Sequence, residues 1–356
     1  MTSDALPSSG RQYFLQSRSA TWMAIAALVL LAFLLRLLAS SGDLWLDEIW
    51  SLDLIGGLTS IDQVLWRVNH DNNHFLNSAW LYLTGPDASP IGHRALSIAL
   101  GTGTALVAAA IVADRGLPTQ LIAGLLFAIS YPMVHYGSEA RGYAGLILFT
   151  LLAILCLQRR LDGRGSALAL AAAILLGLLS HLTMLASVTV LVVWTTWVLL
   201  TQGRGPLRAG GETIWIFLPA FLAVLPLAAC IVVGERMFGV QFGGYTPYSL
   251  QAFSAGYSGT IRHLFGLPSR FPDWLLIGVV LALVSFSARK WTGRRAGLYV
   301  IGIVGLPILM MQARLPNLEF LGISSPAGRC FSFGRRICSG AASMQAVGNV
   351  GPQRPF

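Results

Sequence analysis

Charged residues are scarce in this sequence. Asp, Glu, Lys and Arg together make up 11% of its 356 residues, whereas a typical soluble domain carries about 25%. The hydrophobic share is 55% and the mean hydropathy is +0.67. A chain with so few charges cannot cover itself with a solvated surface, so an ordinary soluble domain is excluded. The composition predicts an all-α polytopic membrane protein.

Cysteine is scarce too. Cys156 and Cys230 lie in apolar runs, where they are typical small core residues, and Cys330 and Cys338 have no companions at metal-ligand spacing. The cysteines therefore predict no metal site. The formal net charge is +9, but the basic residues lie in short loops between apolar runs, where they determine orientation. We expect no nucleic-acid partner.

Nine apolar runs are the dominant feature of the sequence. The first, Trp22 to Leu38, can cross a bilayer as a helix, since about 17–25 apolar residues suffice. Because it is longer than a usual signal-peptide core, we interpret it as an uncleaved anchor. The other predicted spans are Ala95–Ala113, Pro118–Val134, Tyr143–Leu157, Ala167–Leu179, Met184–Leu200, Ile214–Val233, Trp274–Phe286 and Ala296–Met311.

The charges between the runs predict the orientation. With residues 1–21 in the cytoplasm and the spans alternating, every inner loop is basic, as the positive-inside rule requires. The inner basic residues are Arg115, Arg159, Arg160, Arg164, Arg204, Arg208, Arg289, Lys290, Arg294 and Arg295. Residues 42–93 and 234–273 are then outer loops. Within the first of these, Ile61–Trp66 and Phe75–Leu83 have the spacing of amphipathic helices lying on the membrane.

Four clusters of polar residues fall on the outer side. They are Asp47-Glu48, the segment Asp71–Leu76 that contains His74, the segment Tyr136–Tyr143, and His181–Thr183. Each alone has an ordinary explanation, such as a solvated acidic pair, an interfacial histidine or an aromatic belt. Because the topology brings all four to the same side of the membrane, we predict one shared site.

The order and spacing of these clusters resemble the GT-C glycosyltransferases. The similar branch contains the protein O-mannosyltransferases and the aminoarabinose transferases of lipid A. Trp45-Leu-Asp-Glu48 after the first span matches the acidic motif of that branch, and Arg94 matches its arginine at the start of the second span. The resemblance runs from about residue 20 to residue 321 and leaves the tail outside it.

Two further motifs of that branch are present in altered form. Asn73-His-Phe-Leu76 resembles its Asn-His-Pro-Leu element, with Phe75 in place of the proline. Ser138-Glu-Ala-Arg-Gly-Tyr143 is close to its Glu-Ala-Arg-Pro-Tyr motif, with Gly142 in place of the proline. The acidic motif and the Glu-Ala-Arg motif together are fairly specific, whereas each alone is weak.

The resemblance implies a GT-C-type helical bundle with about nine transmembrane helices and amphipathic juxtamembrane helices in the first outer loop. It implies an inverting transfer of a sugar from a polyprenyl-phosphate carrier to a lipid, glycan or protein acceptor. That reaction would take place on the periplasmic face of a bacterial inner membrane, within residues 22–321. No cofactor is certain, and dependence on a divalent metal is left open.

The resemblance also assigns roles to residues. Asp47 is expected to be the catalytic base, with Glu48 supporting it or binding the acceptor, and Arg141 is expected to grip the departing phosphate. The residues expected to bind and position substrates are His74, Arg94, Glu139, Tyr143 and His181.

Two alternatives stay open. A transporter or flippase would need ionisable groups near mid-membrane, and apart from Arg36 the predicted spans lack them. A truncated, inactive family member is the other, because residues 322–356 are rich in Gly, Ser and Arg and contain no apolar run long enough to cross. That stretch breaks the charge rule that the earlier loops obey, so we expect a frameshift or a truncation after about residue 321, or else a disordered terminus.

Overall fold

Most of the residues that the structure describes are helical. The computed structural model describes residues 8–68, 70, 73–239, 249–267, 272–290 and 294–312, and these residues include no β-strand. The helices are α1 Ser8–Ala39, α2 Leu46–Ile55, α3 Gln63–Trp66, α4 Phe75–Thr84, α5 Pro90–Ile111, α6 Leu117–Ile129, α7 Tyr131–Tyr136, α8 Tyr143–Leu161, α9 Ala167–Ser180, α10 Met184–Thr201, α11 Pro206–Phe238, α12 Leu250–Phe265, α13 Asp273–Lys290, α14 Arg294–Val300 and α15 Leu306–Gln312. A π-helical turn, Ile301–Gly305, joins the last two.

Five helical segments are long and apolar enough to cross a membrane. They are Ser19–Ala39, Pro90–Ile111, Tyr143–Leu161, Met184–Thr201 and Pro206–Phe238. The remaining predicted spans form shorter apolar helices: Leu117–Ile129, Ala167–Ser180, Trp274–Phe286 and Ala296–Met310. The chain is therefore a helical membrane protein, and the number of nine spans stays a prediction.

The predicted span Pro118–Val134 is interrupted. Helix α6 ends at Ile129, Ser130 adopts an extended ψ of 128°, and α7 starts at Tyr131. Pro132 explains the break, because proline has no N–H to donate to the carbonyl of Ala128 four residues earlier and its ring would clash with that carbonyl in a continuous helix. The break matters for the site, since the short helix α7 leads directly into the segment 138–142.

Helix α4 is less superficial than its amphipathic pattern suggests. It buries Phe75, Asn77, Ser78 and Leu81 and packs against α2, α5 and α9. The short helix α3 is present within the predicted Ile61–Trp66 segment. Residues 71, 72 and 322–356, on which other predictions fall, lie outside the described residues.

Two compact units make up the chain. The first comprises residues 1–244 and 281–310, and the second comprises residues 245–280 and 311–356. In the second unit, Ser249 caps α12 by accepting a hydrogen bond from the backbone N–H of Ala252 at 3.0 Å, and Gly266 ends the helix in the left-handed conformation. The predicted site residues all lie in the first unit.

The core of the first unit lies between α8, α9, α10 and α11. Trp194 is its largest fully buried side chain, surrounded by residues such as Leu170 and Leu191. A second cluster joins α1, α5 and α6 through small residues, including Ala32, Ala105 and Ala128. Small side chains let helix backbones approach closely, which is the usual basis of packing between membrane helices.

Arg36 is fully buried in the α1 span and forms a structural link. Its guanidinium donates to the carbonyls of Ala32 at 2.9 Å, Phe127 at 3.0 Å and Ala128 at 3.3 Å. The last two are orphan carbonyls at the end of α6. Arg36 therefore fixes the end of α6 at the break before α7, instead of reaching toward water as a snorkelling side chain would.

Candidate active site

One end of the first unit gathers most of the predicted site residues. The end of α1, the helix α2, the starts of α5 and α8, the segment 138–142 and the end of α9 all lie there. We term it the Asp47 end. The opposite end carries the loops that follow α8 and α10.

Glu48 is completely buried and fully engaged. One oxygen, Oε1, accepts from Arg94 Nε at 2.8 Å and from the backbone N–H of Ala140 at 2.6 Å. The other, Oε2, accepts from Arg94 Nη2 at 2.6 Å and from the backbone N–H of Trp45 at 3.0 Å. A carboxylate offers about four lone-pair positions, so these four bonds fill it. This geometry favours a positioning role for Glu48, and its predicted catalytic role stays a prediction.

Arg94 is saturated in the same way. Besides the two bonds that Nε and Nη2 donate to Glu48, Nη1 donates to the carbonyls of Ser40 at 2.8 Å and Gly42 at 3.0 Å, and Nη2 donates to that of Asp43 at 2.9 Å. These five bonds use the five donors of a guanidinium. Binding of a substrate phosphate by Arg94 stays a prediction, and the five bonds count against it. The Glu48–Arg94 pair instead ties the α1–α2 turn to α5.

The backbone of segment 138–142 is held from several sides. Ala140 donates its N–H to Glu48 and accepts from Asn77 Nδ2 at 2.7 Å. The carbonyl of Arg141 accepts from Ser97 Oγ at 3.1 Å. Because its neighbouring peptide groups are fixed by α2, α4 and α5, the Arg141 side chain projects from a rigid base.

Asp47 and Arg141 meet at the exposed edge of this assembly. Arg141 Nη1 lies 2.9 Å from Asp47 Oδ2, and the two side chains are 12% and 32% exposed, respectively. Successive residues of a helix point about 100° apart, so α2 buries Glu48 while its neighbour Asp47 stays accessible. Asp47 is therefore the carboxylate of the acidic motif that a substrate can reach.

Three aromatic side chains stand behind Arg141. The ring of His74 lies 4.8 Å from that of His181 and 5.5 Å from that of Tyr143, and the rings of Tyr143 and His181 are 4.9 Å apart. Asn73 supports this group by donating to the carbonyls of Val64 at 3.1 Å and Val68 at 2.7 Å. The structure thus places His74, Tyr143 and His181 together, as the predicted shared site requires.

Both histidines are neutral in this environment. Burial, with His181 and Arg141 nearby, lowers the pKa of His74 well below its ordinary value of 6.5. Burial and Arg141 lower the pKa of His181 to about 3. Nδ1 of His181 accepts the backbone N–H of Thr183 at 3.1 Å, which leaves the proton of the neutral ring on Nε2. The positive charge at the site therefore belongs to Arg141 and not to the imidazoles.

Glu139 is paired with a histidine that the sequence interpretation did not single out. His135 Nε2 lies 2.8 Å from Glu139 Oε1, one helical turn apart in sequence, and Glu139 is buried. The hydrogen bond to Glu139 raises the pKa of His135 above 6.5, although burial opposes the shift. Arg141, two residues from Glu139 in the sequence, pairs instead with Asp47.

Gly142 and Phe75 have visible packing roles. A Cβ at position 142 would overlap the carbonyl oxygen of Ser180 and crowd His74, so glycine permits the close approach of α8 to the end of α9. Phe75 is buried and joins the core cluster through α4.

A small cavity lies beneath Arg141 and is lined by Asn77, Ser97 and Ser180 among others. It is far smaller than typical ligand pockets, which measure about 300–1,000 Å³, so it cannot by itself hold a sugar phosphate. Among the residues whose structure is described, no group of three or more His, Cys, Asp or Glu side chains is arranged to hold a metal ion.

Sequence reasoning missed Asn77, Ser97 and His135. Each carried a signal: Asn77 and Ser97 are polar residues on faces of otherwise apolar helices, and His135 stands four residues before Glu139. No family model, no curated protein and no solved structure matches this chain. The function must therefore be argued from the site itself.

Proposed function

We propose that this chain is an inverting membrane glycosyltransferase of the GT-C type, with a bundle of about nine spans. It moves a sugar from a polyprenyl-phosphate carrier to an acceptor hydroxyl at the outer, periplasmic face of a bacterial inner membrane. The observation that carries the proposal is the Asp47–Arg141 pair, in which an accessible carboxylate and a fixed guanidinium lie 2.9 Å apart.

The two groups match the two needs of a single in-line displacement. The acceptor oxygen attacks the anomeric carbon and forms the new glycosidic bond, while the bond from that carbon to the phosphate oxygen breaks. The proton of the acceptor passes to Asp47 as general base, and the electron pair leaves with the phosphate. Arg141 balances the charge of the departing phosphate, because a planar guanidinium can hold two of its oxygens at once.

The surrounding residues support this reaction by holding the pair in place. Glu48 and Arg94 fix the start of α2 and thereby the position of Asp47. The neutral rings of His74 and His181 fill the space behind Arg141 without adding a competing charge. Glu139, buried and paired with His135, acts through the segment that carries Arg141.

A transfer assay tests the proposal. Purified full-length protein is incubated with a panel of polyprenyl-phosphate sugars and membrane acceptors, and product is measured for wild type, Asp47→Asn and Asp53→Asn. Asp47→Asn keeps the shape but removes the proton acceptor, so we expect a loss of roughly 10²–10⁴-fold, the usual scale for general-base catalysis. Asp53 is exposed on the same helix, and Asp53→Asn should retain activity.

Transfer at the wild-type rate by Asp47→Asn would exclude Asp47 as the base. Orientation is tested separately by labelling single cysteines, in a background without native cysteines, with a membrane-impermeant reagent. A cysteine at Ser60 should be labelled from the periplasm and one at Gly163 should not. The reverse pattern would place the Asp47 end in the cytoplasm and contradict the proposed donor.

A further inference from the structure

The guanidinium of Arg141 is enclosed by two aromatic rings. Its Cζ lies 4.8 Å from the ring centre of Tyr143 and 5.5 Å from that of Trp45. Both distances are within the range of about 6 Å for a cation–π contact. A planar guanidinium stacked on aromatic faces loses rotational freedom, so the rings restrict the plane in which Arg141 meets Asp47.

Trp45 occupies a position where its residue type is unusual. It is the N-cap of α2, with φ −92° and ψ 170°, and its side chain makes no capping hydrogen bond. Ser, Thr, Asp and Asn are preferred there, and their replacement by a residue that cannot cap costs about 1 kcal/mol. The backbone N–H of Trp45 donates to the buried carboxylate of Glu48, so the indole is attached to a fixed point. The N-cap position of α2 therefore carries an indole ring that contacts Arg141, in place of a side chain that caps the helix.

An anchor in the lipid interface is the ordinary explanation for such a tryptophan, and the same helix offers a comparison. Trp50 is 40% exposed and Trp45 is 41% exposed, and Leu46 and Ile49 are exposed beside them. Trp50 lies edge-on to His70 at 4.8 Å, whereas Trp45 stacks with Arg141. If anchoring were the only role, the two tryptophans would be interchangeable.

We propose that Trp45 is a positioning residue for recognition of the donor phosphate, because its indole, with Tyr143, holds the Arg141 guanidinium in the plane that grips the phosphate. This inference rests on the proposed function. It adds to it a residue that acts through Arg141 and does not touch the reacting atoms. It also explains why the acidic motif begins with a tryptophan that cannot cap its helix.

The test uses full-length protein in lipid nanodiscs and an unsubstituted polyprenyl monophosphate as the probe. Binding is titrated for wild type, Trp45→Leu, Trp45→Phe and the matched control Trp50→Leu. Trp45→Leu should weaken binding by about 2- to 30-fold, the scale of a cation–π contact. Trp45→Phe should restore most of the affinity, since a phenyl face still stacks, and Trp50→Leu should stay within about twofold of wild type.

A second measurement distinguishes positioning from general damage. In the Arg141→Lys background the planar stack is already lost, so Trp45→Leu should cost much less there than in wild type. In the transfer assay, Trp45→Leu should raise the KM for the donor and leave kcat at saturating donor nearly unchanged.

The outcomes separate the two proposals. If wild type binds the probe and Trp45→Leu binds as well as Trp50→Leu, Trp45 is an anchor and this inference is wrong. If Trp45→Phe is folded yet binds as weakly as Trp45→Leu, stacking is not the cause and the inference is also wrong. If wild type binds no polyprenyl phosphate, the proposed function itself fails, and this inference fails with it.

Discussion

The two ends of the first unit carry their charges in different ways. At the Asp47 end, Glu48 and Arg94 are buried and hydrogen-bonded across helices. Glu48 accepts four hydrogen bonds and Arg94 donates five. At the opposite end, Arg164 and Asp162 lie 3.5 Å apart with side chains 77% and 39% exposed, and Arg208 bonds Glu212 one turn along the same helix. The charges at the Asp47 end depend on the tertiary fold, whereas those at the opposite end pair with residues nearby in the sequence and are solvated.

This contrast shows which charges the tertiary fold depends on. Exposed pairs contribute little, because water screens them and long side chains lose entropy when they pair. A buried charge destabilises the fold unless each of its hydrogen-bonding groups has a partner. In this chain, the buried Glu48–Arg94 pair meets that condition at the Asp47 end. This concentration of buried charges supports the proposal that the Asp47 end carries the function.

The largest effect is expected from Glu48→Gln. The amide would turn an N–H₂ group toward donors of Arg94, Ala140 or Trp45, leaving buried donors without acceptors. Removal of one member of a buried pair costs about 3–5 kcal/mol. Unfolding in mixed detergent and SDS micelles measures this, with Asp162→Asn as the exposed control that should change little. Equal stability of the two variants would break the contrast between the ends.

Gly142→Ala should have the next largest effect. The new Cβ would overlap the Ser180 carbonyl, and overpacking of this kind costs about 1–3 kcal/mol. Gly210→Ala is the matched control, since Gly210 lies inside α11 with nothing near its added Cβ. It should be neutral or stabilising by up to about 1 kcal/mol, because alanine favours a helix. Thermal unfolding in detergent compares the two, and wild-type stability of Gly142→Ala would contradict the tight approach of α8 to α9.

Acidification should weaken the Asp47 end through its neutral histidines. The folded pKa values of His74 and His181 lie below 6.5, so their contribution is present above that pH and is lost as pH falls. As pH falls from 6.5 to 5, each histidine lowers the free energy of unfolding by up to about 1.4 kcal/mol per pH unit. His181→Gln should reduce the slope of the unfolding free energy against pH by the amount that corresponds to the uptake of about one proton on unfolding.

His135 supplies a control of opposite sign. Its pKa is raised by Glu139, so its contribution is fully present below 6.5 and is lost as pH rises through the raised value. His135→Gln should therefore remove part of the loss of stability above pH 6.5 and leave the slope below pH 6.5 unchanged, measured in the same titration. Identical slopes for the two variants would show that neither histidine titrates as its surroundings require.

The smallest effect belongs to the opposite end. Arg164→Gln removes half of an exposed pair, and many such pairs contribute nothing measurable. Thermal unfolding and the transfer assay should both match wild type. A marked loss in either would show that this end also depends on its charges.

Much of the fold was predictable because hydrophobicity alone encodes it. The first predicted span, Trp22–Leu38, lies within the observed apolar segment Ser19–Ala39, and each later run forms helix. The break in Pro118–Val134 was missed, although Pro132 is visible in the sequence, because the apolar run itself continues through Ser130. Whether a proline interrupts a helix depends on how that helix packs, and a local sequence pattern does not show the packing.

Most of the side chains gathered at the Asp47 end could be named from the sequence, but their pairing could not. The sequence places Asp47 beside Glu48 and Arg141 beside Glu139, and it gives no reason to join Asp47 to Arg141. That join depends on the approach that Gly142 permits and on the saturation of Glu48 by distant donors. Glu48 is buried and Asp47 is accessible because neighbouring elements cover only one face of α2. Only the tertiary structure shows which face they cover.

The four bonds of Glu48 also bear on how the protein is made. Three of the donors, the N–H of Trp45 and two groups of Arg94, are near in the chain or on α5, but the fourth, the N–H of Ala140, is synthesised long after Glu48. Until the start of α8 is in the membrane, the carboxylate must keep its water, because an isolated buried charge is too costly. The start of α2 therefore cannot settle on a nascent chain that ends before this point. Assembly of the Asp47 end is a late step of insertion, and a ribosome-bound fragment shorter than about 140 residues is expected to leave Glu48 reachable by water.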